Sequence, residues 1–306
     1  MKFLSRIAIL SVLAASLIAS GCHHPTEVGT GENEVLSPEA SMRRMVLQEG
    51  FTVHLVASEP LIHTPVAMTF DDKGRIWAVE MSDYEPLNKS DHDARPLGKI
   101  VILTDTDGDG KMDRRQVFLD SLVMPRAICL VAHGILIATP PDLWYYEIDH
   151  DQPGIKRVVD TAYTVSGNPE GQTNGLLRGL DNWIYSAGFG SSKRYRYKNG
   201  HWLTEKTILR GQWGISQDDY GHLFYNNNSQ NLLGDYFLPG LLPPANRLQD
   251  VAGYDERIVA DNRVYPARKT PGVNRGYKPG TLDDSGRLVM LTAACGPLIY
   301  RGGALG

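Results

Sequence analysis

The chain has 306 residues, of which 42% are hydrophobic and 22% charged, the composition of a globular protein. Its formal net charge is -4, so nothing marks a nucleic-acid-binding protein, and three cysteines are too few for a disulfide scaffold.

The chain opens with Lys2 and Arg6, then an almost wholly apolar run from Ile7 to Ile18, then Ala19, Ser20, Gly21 and Cys22. A basic start, an apolar core and small residues before a cut make a secretory signal peptide. The Cys directly after them resembles a lipoprotein signal, with Ala19 where Leu is more usual. Residues 1–21 are therefore predicted to be removed, and Cys22 to carry a lipid that anchors the protein to the cell envelope. The apolar run is short for a membrane span, which takes about 20 residues. Residues 22–36 are polar and turn-rich and read as a tether. The folded part is predicted to span 37–306.

Ser37 to Leu47 is the best helix candidate, with Ser37 as cap and Pro38 in the first turn. A repeating unit follows, of apolar strand, Asp/Gly/Asn turn and second apolar strand. Val66–Phe70 leads through Asp72 and Gly74 to Arg75–Val79, and Arg126–Leu130 leads through Gly134 to Ile135–Ala138. Gly175–Gly179 leads through Asn182 to Trp183–Tyr185, and Gly214–Gln217 leads through Gly221 to His222–Tyr225. The turn residues Gly74, Gly134, Asn182 and Gly221 stand 60, 48 and 39 positions apart. Periods near 40–50 with hairpin content indicate propeller blades. Outer strands are predicted at Lys99–Thr104, Leu143–Ile148 and Arg194–Tyr197. A β-sandwich would repeat its turns every ~8–12 residues, without the longer echo. The fold class is thus all-β, a β-propeller with four complete units and a fifth beginning around Pro279–Tyr300, incomplete at the C-terminal side. Cys129 and Cys295 sit in apolar surroundings and are expected to be buried thiols.

One loop carries metal-binding spacing. Asp105, Asp107, Asp109 and Asp113 occupy positions 1, 3, 5 and 9 of a loop with Gly110 at position 6. Ca²⁺ takes six to eight oxygens, and alternating carboxylates on a tight loop converge on one point. The carbonyl of Lys111 would add a ligand. Gln116 stands at position 12, where a bidentate Glu is usual. The nine histidines show no metal-ligand spacing, and no P-loop, zinc motif or nucleophile elbow is present.

The run "LQEGFTVHLVASEPLIHTPVAMTFDDKGRIWAVEMSDYE", from Leu47, resembles the opening of the membrane-bound dehydrogenase propeller proteins abundant in planctomycetes. Further matches are "DTDGDGKMDRRQVFLDSL", "NGLLRGLDNWIYSA", "RGQWGISQDDYGHLFYNNNSQ", "VNRGYKPGTLDDSGRL" and "TAACGPLIYRG", in order up to Gly302. That family is similar to the quinoprotein glucose/sorbosone dehydrogenases. The resemblance implies a six-bladed propeller, of which four to five blades are present here. It also implies oxidation of a sugar or related alcohol, with electrons passing to pyrroloquinoline quinone and then to a c-type cytochrome partner. This chain has no CxxCH and hence no covalent haem site.

Under that resemblance the superfamily's catalytic His falls at Gly171, leaving Glu170 as the neighbouring proton acceptor, and its quinone-contacting Asn falls at Gly211. Polar residues at strand ends are the candidate quinone contacts: Asp83, Tyr84, Arg126, Asn174, Arg210, Gln212 and Asn228. Arginine and amide groups suit the carboxylates and carbonyls of a quinone. Two alternatives stay open. One is a propeller that binds a carbohydrate or protein without catalysis. The other is a calcium-dependent lactonase-type hydrolase, with Glu80, Asn174 and Asn228 as possible ligands.

Overall fold

The computed structural model describes residues 35–82, 84, 95–164, 169–188, 192–244, 251–265 and 276–304. The signal segment, Cys22, most of the tether and Asp83 lie outside the described residues. The chain divides into Met1–Leu36 and Ser37–Gly306, and every element named below belongs to the second unit. No helix among the described residues is long and apolar enough to cross a membrane.

Four antiparallel four-stranded sheets make a β-propeller arrangement, each sheet ordered as its strands occur in the chain. The first blade holds β1 (Pro65–Phe70), β2 (Ile76–Glu80), β3 (Gly98–Thr104) and β4 (Arg114–Leu122). The second holds β5 (Ala127–Val131), β6 (Gly134–Thr139), β7 (Asp142–Asp149) and β8 (Gln152–Asp160). The third holds β9 (Asn174–Arg178), β10 (Ile184–Ala187), β11 (Lys193–Lys198) and β12 (His201–Lys206). The fourth holds β13 (Ser216–Gln217), β14 (Leu223–Asn227), β15 (Gln230–Gly234) and β16 (Glu256–Arg257). The inner strand β5 runs beside both β1 and β9, as radially stacked blades require.

The predicted strand pairs and outer strands fall on these elements within two residues. Their apolar runs do not alternate, because neighbouring blades cover both faces. Ile135, Leu136, Ile137 and Ala138 of β6 are all fully buried, as are Ile100, Val101 and Leu103 of β3. Each large aliphatic side chain so buried contributes about 1.5–3 kcal/mol. Trp77, Ile100, Ile102, Phe118, Ile135 and Ile137 form one core across the first two blades. A second core joins Leu136, Leu143, Tyr163, Ile184 and Tyr195 across the second and third.

One turn device repeats at the inner hairpins. The Oδ1 of Asp71 accepts from the backbone N of Lys73 and Arg75, and Asp218 does the same for Tyr220 and His222. Asp283 repeats it with Ser285 and Arg287, where Leu282 bridges Leu288. The start of a fifth unit predicted near Pro279 is thus a real hairpin, although only isolated bridges form there. Each of these turns has Gly at the fourth position with positive φ (Gly74 +75°, Gly221 +87°, Gly286 +77°).

Two expectations need correction. The helix α1 covers only Pro38–Arg43 and buries no residue, so no packing carries it on to Leu47. Cys129 is a buried thiol, pushed up to about 11 by burial, but Cys295 is exposed. The backbone around Cys295 is held from one side by Asn226, as described below.

The first two blades are bolted by Arg75, whose Nη1 and Nη2 donate to both Asp151 carboxylate oxygens (2.6 and 2.9 Å) while Nε donates to Asp71 (2.8 Å). The guanidinium holds the Asp151 carboxyl below its ordinary range. Burial opposes ionisation of Asp71, but bonds from the Trp77 indole and from Arg75 outweigh it and keep that carboxyl low as well. A carboxyl with a depressed folded pKa stabilises above its unfolded pKa, near about 4, and the stabilisation is lost as pH falls below it. Arg75→Met should therefore cost about 1–3 kcal/mol at pH 7, the range for charge-assisted bonds. In urea unfolding followed from pH 7 to pH 3, the difference from the parent should shrink. An equal difference at every pH would contradict the assignment.

Candidate functional site

The starts of the inner strands and the ends of their partners all lie at one end of the blades. Arg126 precedes β5, Asn174 opens β9, Gln212 precedes β13, and Asn226 lies near the end of β14. The hairpin turns at Gly74, His133, Asn182 and Gly221 lie at the opposite end, and so does the acidic loop between β3 and β4. Arg126, Asn174 and Gln212 of the strand-end candidates thus stand at this end, while Asp83 lies outside the described residues. What their side chains do is different.

Asn174 is buried, and its Nδ2 donates to the carbonyls of Gln172 (2.9 Å) and Gln212 (2.7 Å). Its Oδ1 accepts from Gly214 N (3.0 Å). The whole amide thus ties the third blade to the segment entering the fourth. Asn226 repeats the role one blade on. With its amide oriented to satisfy both partners, it donates to the Trp213 carbonyl (2.9 Å) and accepts from Cys295 N (3.2 Å). The strand segments so joined approach closely at glycines. A Cβ on Gly175 would stand 3.2 Å from Gly214 Cα, and one on Gly214 would stand 2.5 Å from Gly296 Cα.

Arg210 is fully buried and bonds Asp235 through Nε (2.7 Å) and Thr207 through Nη1 (3.2 Å). Its guanidinium also lies 5.7 Å from the centre of the Tyr185 ring in the third blade. Tyr225 completes the cluster by donating to Asp235 (2.6 Å), and burial, then the Asp235 charge, drives its phenol far above its ordinary range. Asp235, which the sequence analysis did not single out, is what fixes Arg210 in place. Nη2 of Arg210 has no partner among the described residues.

Arg126 is buried and donates through Nη1 to the Pro169 carbonyl (2.9 Å). Glu170 is half-buried in the 3-10 turn Pro169–Gly171 that Arg126 holds. Gln212 is buried, and its backbone carbonyl serves Asn174. Tyr84 is 38% exposed. Asn228 sits half-buried in the turn between β14 and β15, and its side chain makes no hydrogen bond among the described residues. Glu80, at the end of β2, accepts from His63 N (3.0 Å) and forms an ion pair with Arg115 (2.9 Å).

Whether these residues suit pyrroloquinoline quinone can be tested on the backbone. At Gly211 a Cβ would stand 2.7 Å from the Asn226 carbonyl oxygen, and φ is +58°. No asparagine fits there, Gly171 offers no side chain, and Asn174 has no free donor. Those three positions therefore supply no quinone contact of the kind the resemblance implies.

The acidic loop behaves differently. Carboxylate oxygens of Asp105, Asp107 and Asp109 lie within 4.8 Å of one another. Asp105 is ordered by Gly108 N (2.7 Å) and Gly110 N (2.8 Å), and these bonds, the one from Gly110 foremost, lower its pKa. Asp109 accepts from the Lys111 backbone N (2.7 Å). Asp113 stands apart from this group because both its oxygens cap Thr106 (2.8–3.3 Å). Beneath the loop Met112 is buried, with its N bonded to the Val56 carbonyl (2.8 Å). Three hard oxygen donors on an ordered loop fit Ca²⁺, with Asp113 shaping the loop.

Two variants test the structural role of the central end. Asn174→Ala orphans the buried Gln212 carbonyl, at a cost of about 1–3 kcal/mol, and the half-buried Gly214 N–H, so a clear fall in the urea midpoint is expected. A loss under about 0.5 kcal/mol would deny the staple. Gly211→Asn, which installs the residue the resemblance calls for, should lower the melting temperature and give no quinone binding. A stable variant that binds quinone would overturn the steric argument.

No curated protein matches this chain in sequence. Among solved structures, a gluconolactonase from Xanthomonas campestris aligns with a TM-score of 0.39 at 13% identity, over 56% of this chain and 57% of that one. A carbohydrate-active enzyme of family AA12 from Trichoderma reesei gives 0.43 at 13%, over 66% and 58%. Virginiamycin B lyase from Staphylococcus aureus gives 0.33 at 14%, over 56% and 52%. The chain therefore spans between 52% and 58% of the length of each. Residues 37–306 match the family described as Domain of unknown function (DUF7133), and the chain belongs to that family.

Proposed function

We propose that this chain is a calcium-braced β-propeller that binds a saccharide or related alcohol at the cell envelope without oxidising it. One observation carries this reading: Asn174, Asn226 and Arg210, the polar groups best placed for a ligand at the central end, bond between and within blades instead. A propeller so built presents surfaces for binding and has no base at Gly171 to take a hydroxyl proton. Fold does not decide between these roles, since propellers serve many.

In this reading residues 1–21 are a signal, Cys22 carries the lipid, 22–36 is the tether and 37–306 the propeller. Asp105, Asp107 and Asp109 hold Ca²⁺, with the Lys111 carbonyl as a further ligand. The ion offsets repulsion among three carboxylates and pins the loop that joins β3 to β4.

The quinoprotein reading keeps one specific support, the resemblance to membrane-bound dehydrogenases running from Leu47 to Gly302. There the chain would hand electrons to a quinone and a c-type cytochrome. A single experiment separates the two. The full chain is titrated with Ca²⁺ and with pyrroloquinoline quinone while thermal stability and dye reduction by sugars are followed. We expect Ca²⁺ to raise the melting point, by about 2.7 kcal/mol of stability at a hundredfold excess over Kd. Asp107→Asn should abolish most of that gain, and quinone should neither bind nor support dye bleaching. Saturable quinone binding with sugar-dependent bleaching would overturn the proposal.

A further inference from the structure

Away from both sites, a groove of about 480 Å³ lies between the second and third blades. It opens at the end of the blades that carries the His133 and Asn182 turns, opposite Arg126 and Asn174. Its size is that of a small-ligand site.

Three aromatic side chains form one wall. Tyr197 and Trp202 are cross-strand partners with ring centres 5.3 Å apart, and Tyr145 lies 6.1 Å from Trp202. Tyr145 comes from the second blade and the other two from the third, so the wall spans both. Four cations share the groove: Arg157, Arg178, Arg196 and Lys198. Arg157 pairs across the strands with Tyr145, which places a charge beside an aromatic face. Arg178 donates to the Asn182 side chain (3.2 Å), and the Arg196 guanidinium lies 4.3 Å from the centre of the Trp183 ring. Nε of Arg196 is buried with no hydrogen-bond partner among the described residues. None of the four forms an ion pair with a carboxylate among the described residues. Glu147, the acid that acts on Tyr145 beside Arg157, is no exception.

Four cations line this groove with no carboxylate in ion-pair contact among the described residues, and here they gather in a chain whose net charge is -4. Such a cluster is satisfied by an anion. Arginine forks match carboxylate and sulfate oxygens in pairs. The aromatic wall calls for more than a bare ion: it offers flat apolar surface to a ring. A sugar ring with an acidic substituent supplies both, with C–H faces for Tyr197 and Trp202 and an anionic group for the arginines. A nucleic acid fits poorly, because its long phosphate chain asks for a basic protein surface and this chain is acidic.

We infer that this groove binds an acidic saccharide, one whose sugar rings carry carboxylate or sulfate. The inference rests on the saccharide-binding reading above and deepens it by naming the site and the ligand class.

The test is calorimetric titration of the full chain with oligogalacturonate, with a sulfated oligosaccharide of equal length, and with a neutral cello-oligosaccharide. At least one acidic ligand should bind saturably, at least tenfold more tightly than the neutral one, and binding should weaken about tenfold between 50 and 300 mM salt. The two acidic ligands tell carboxylate from sulfate. Arg157→Gln and Arg178→Gln change exposed side chains, so each should weaken binding tenfold or more at unchanged melting temperature. Trp202→Phe, which keeps a ring in the wall, should weaken it less than either. If saccharides bind but both glutamine variants bind them unchanged, the groove assignment is wrong while the binding reading stands. If no saccharide binds, both fail.

Discussion

The strand segments lining the centre of this propeller can approach as they do only where they carry glycine, and two asparagine side chains hold them there. Gly175, Gly214 and Gly296 bring three successive segments within reach of a methyl group's radius. Asn174 and Asn226 then bond across each junction to backbone groups, of which the Gln212 carbonyl is buried. Without the glycines the segments would separate, and without the Asn174 amide the close approach would leave the buried Gln212 carbonyl unpaired. The radial stacking of hydrophobic blades depends on this junction, because it sets how near one sheet's core lies to the next.

The constraint also decides the chemistry at the central end. Asn174 spends both of its amide N–H groups on the blade junction and keeps no donor for a ligand. The same holds further out, where Asp160 accepts from Lys193 (2.6 Å) and Tyr195 (2.8 Å) to join the second and third blades, and Arg75 joins the first and second. At the turn end, by contrast, the cationic groove has no ion-paired carboxylate among the described residues, and the acidic loop gathers three exposed or half-buried carboxylates.

Much of the architecture could be read from the residues alone. The Asp-x-x-Gly hairpins announce themselves through turn chemistry, and apolar runs on either side of them through hydrophobicity. The calcium-type spacing of Asp105, Asp107 and Asp109 is equally local and is matched by their convergence. Asp113 was grouped with them by spacing, yet it turns to Thr106, because its own backbone already leads into β4. The fourth blade's outer strand was missed, since Glu256 and Arg257 make only a two-residue ladder. Nor could the sequence show that Asn174 and Arg210 face neighbouring blades. That depends on partners 38 and 25 positions away, Gln212 and Asp235, whose nearness only the fold creates. The groove was invisible for the same reason: its cations come from three strands of two blades.

The most direct test of the central claim is native-state hydrogen exchange at two backbone amides, Gly214 N–H and Cys295 N–H. If asparagine side chains staple the blades, both protons should exchange slowly and only with global unfolding. Added quinone should leave their rates unchanged. Exchange as fast as in the exposed hairpin turns, or protection that appears only when a ligand is added, would show that the asparagines are free for binding and that the account is wrong.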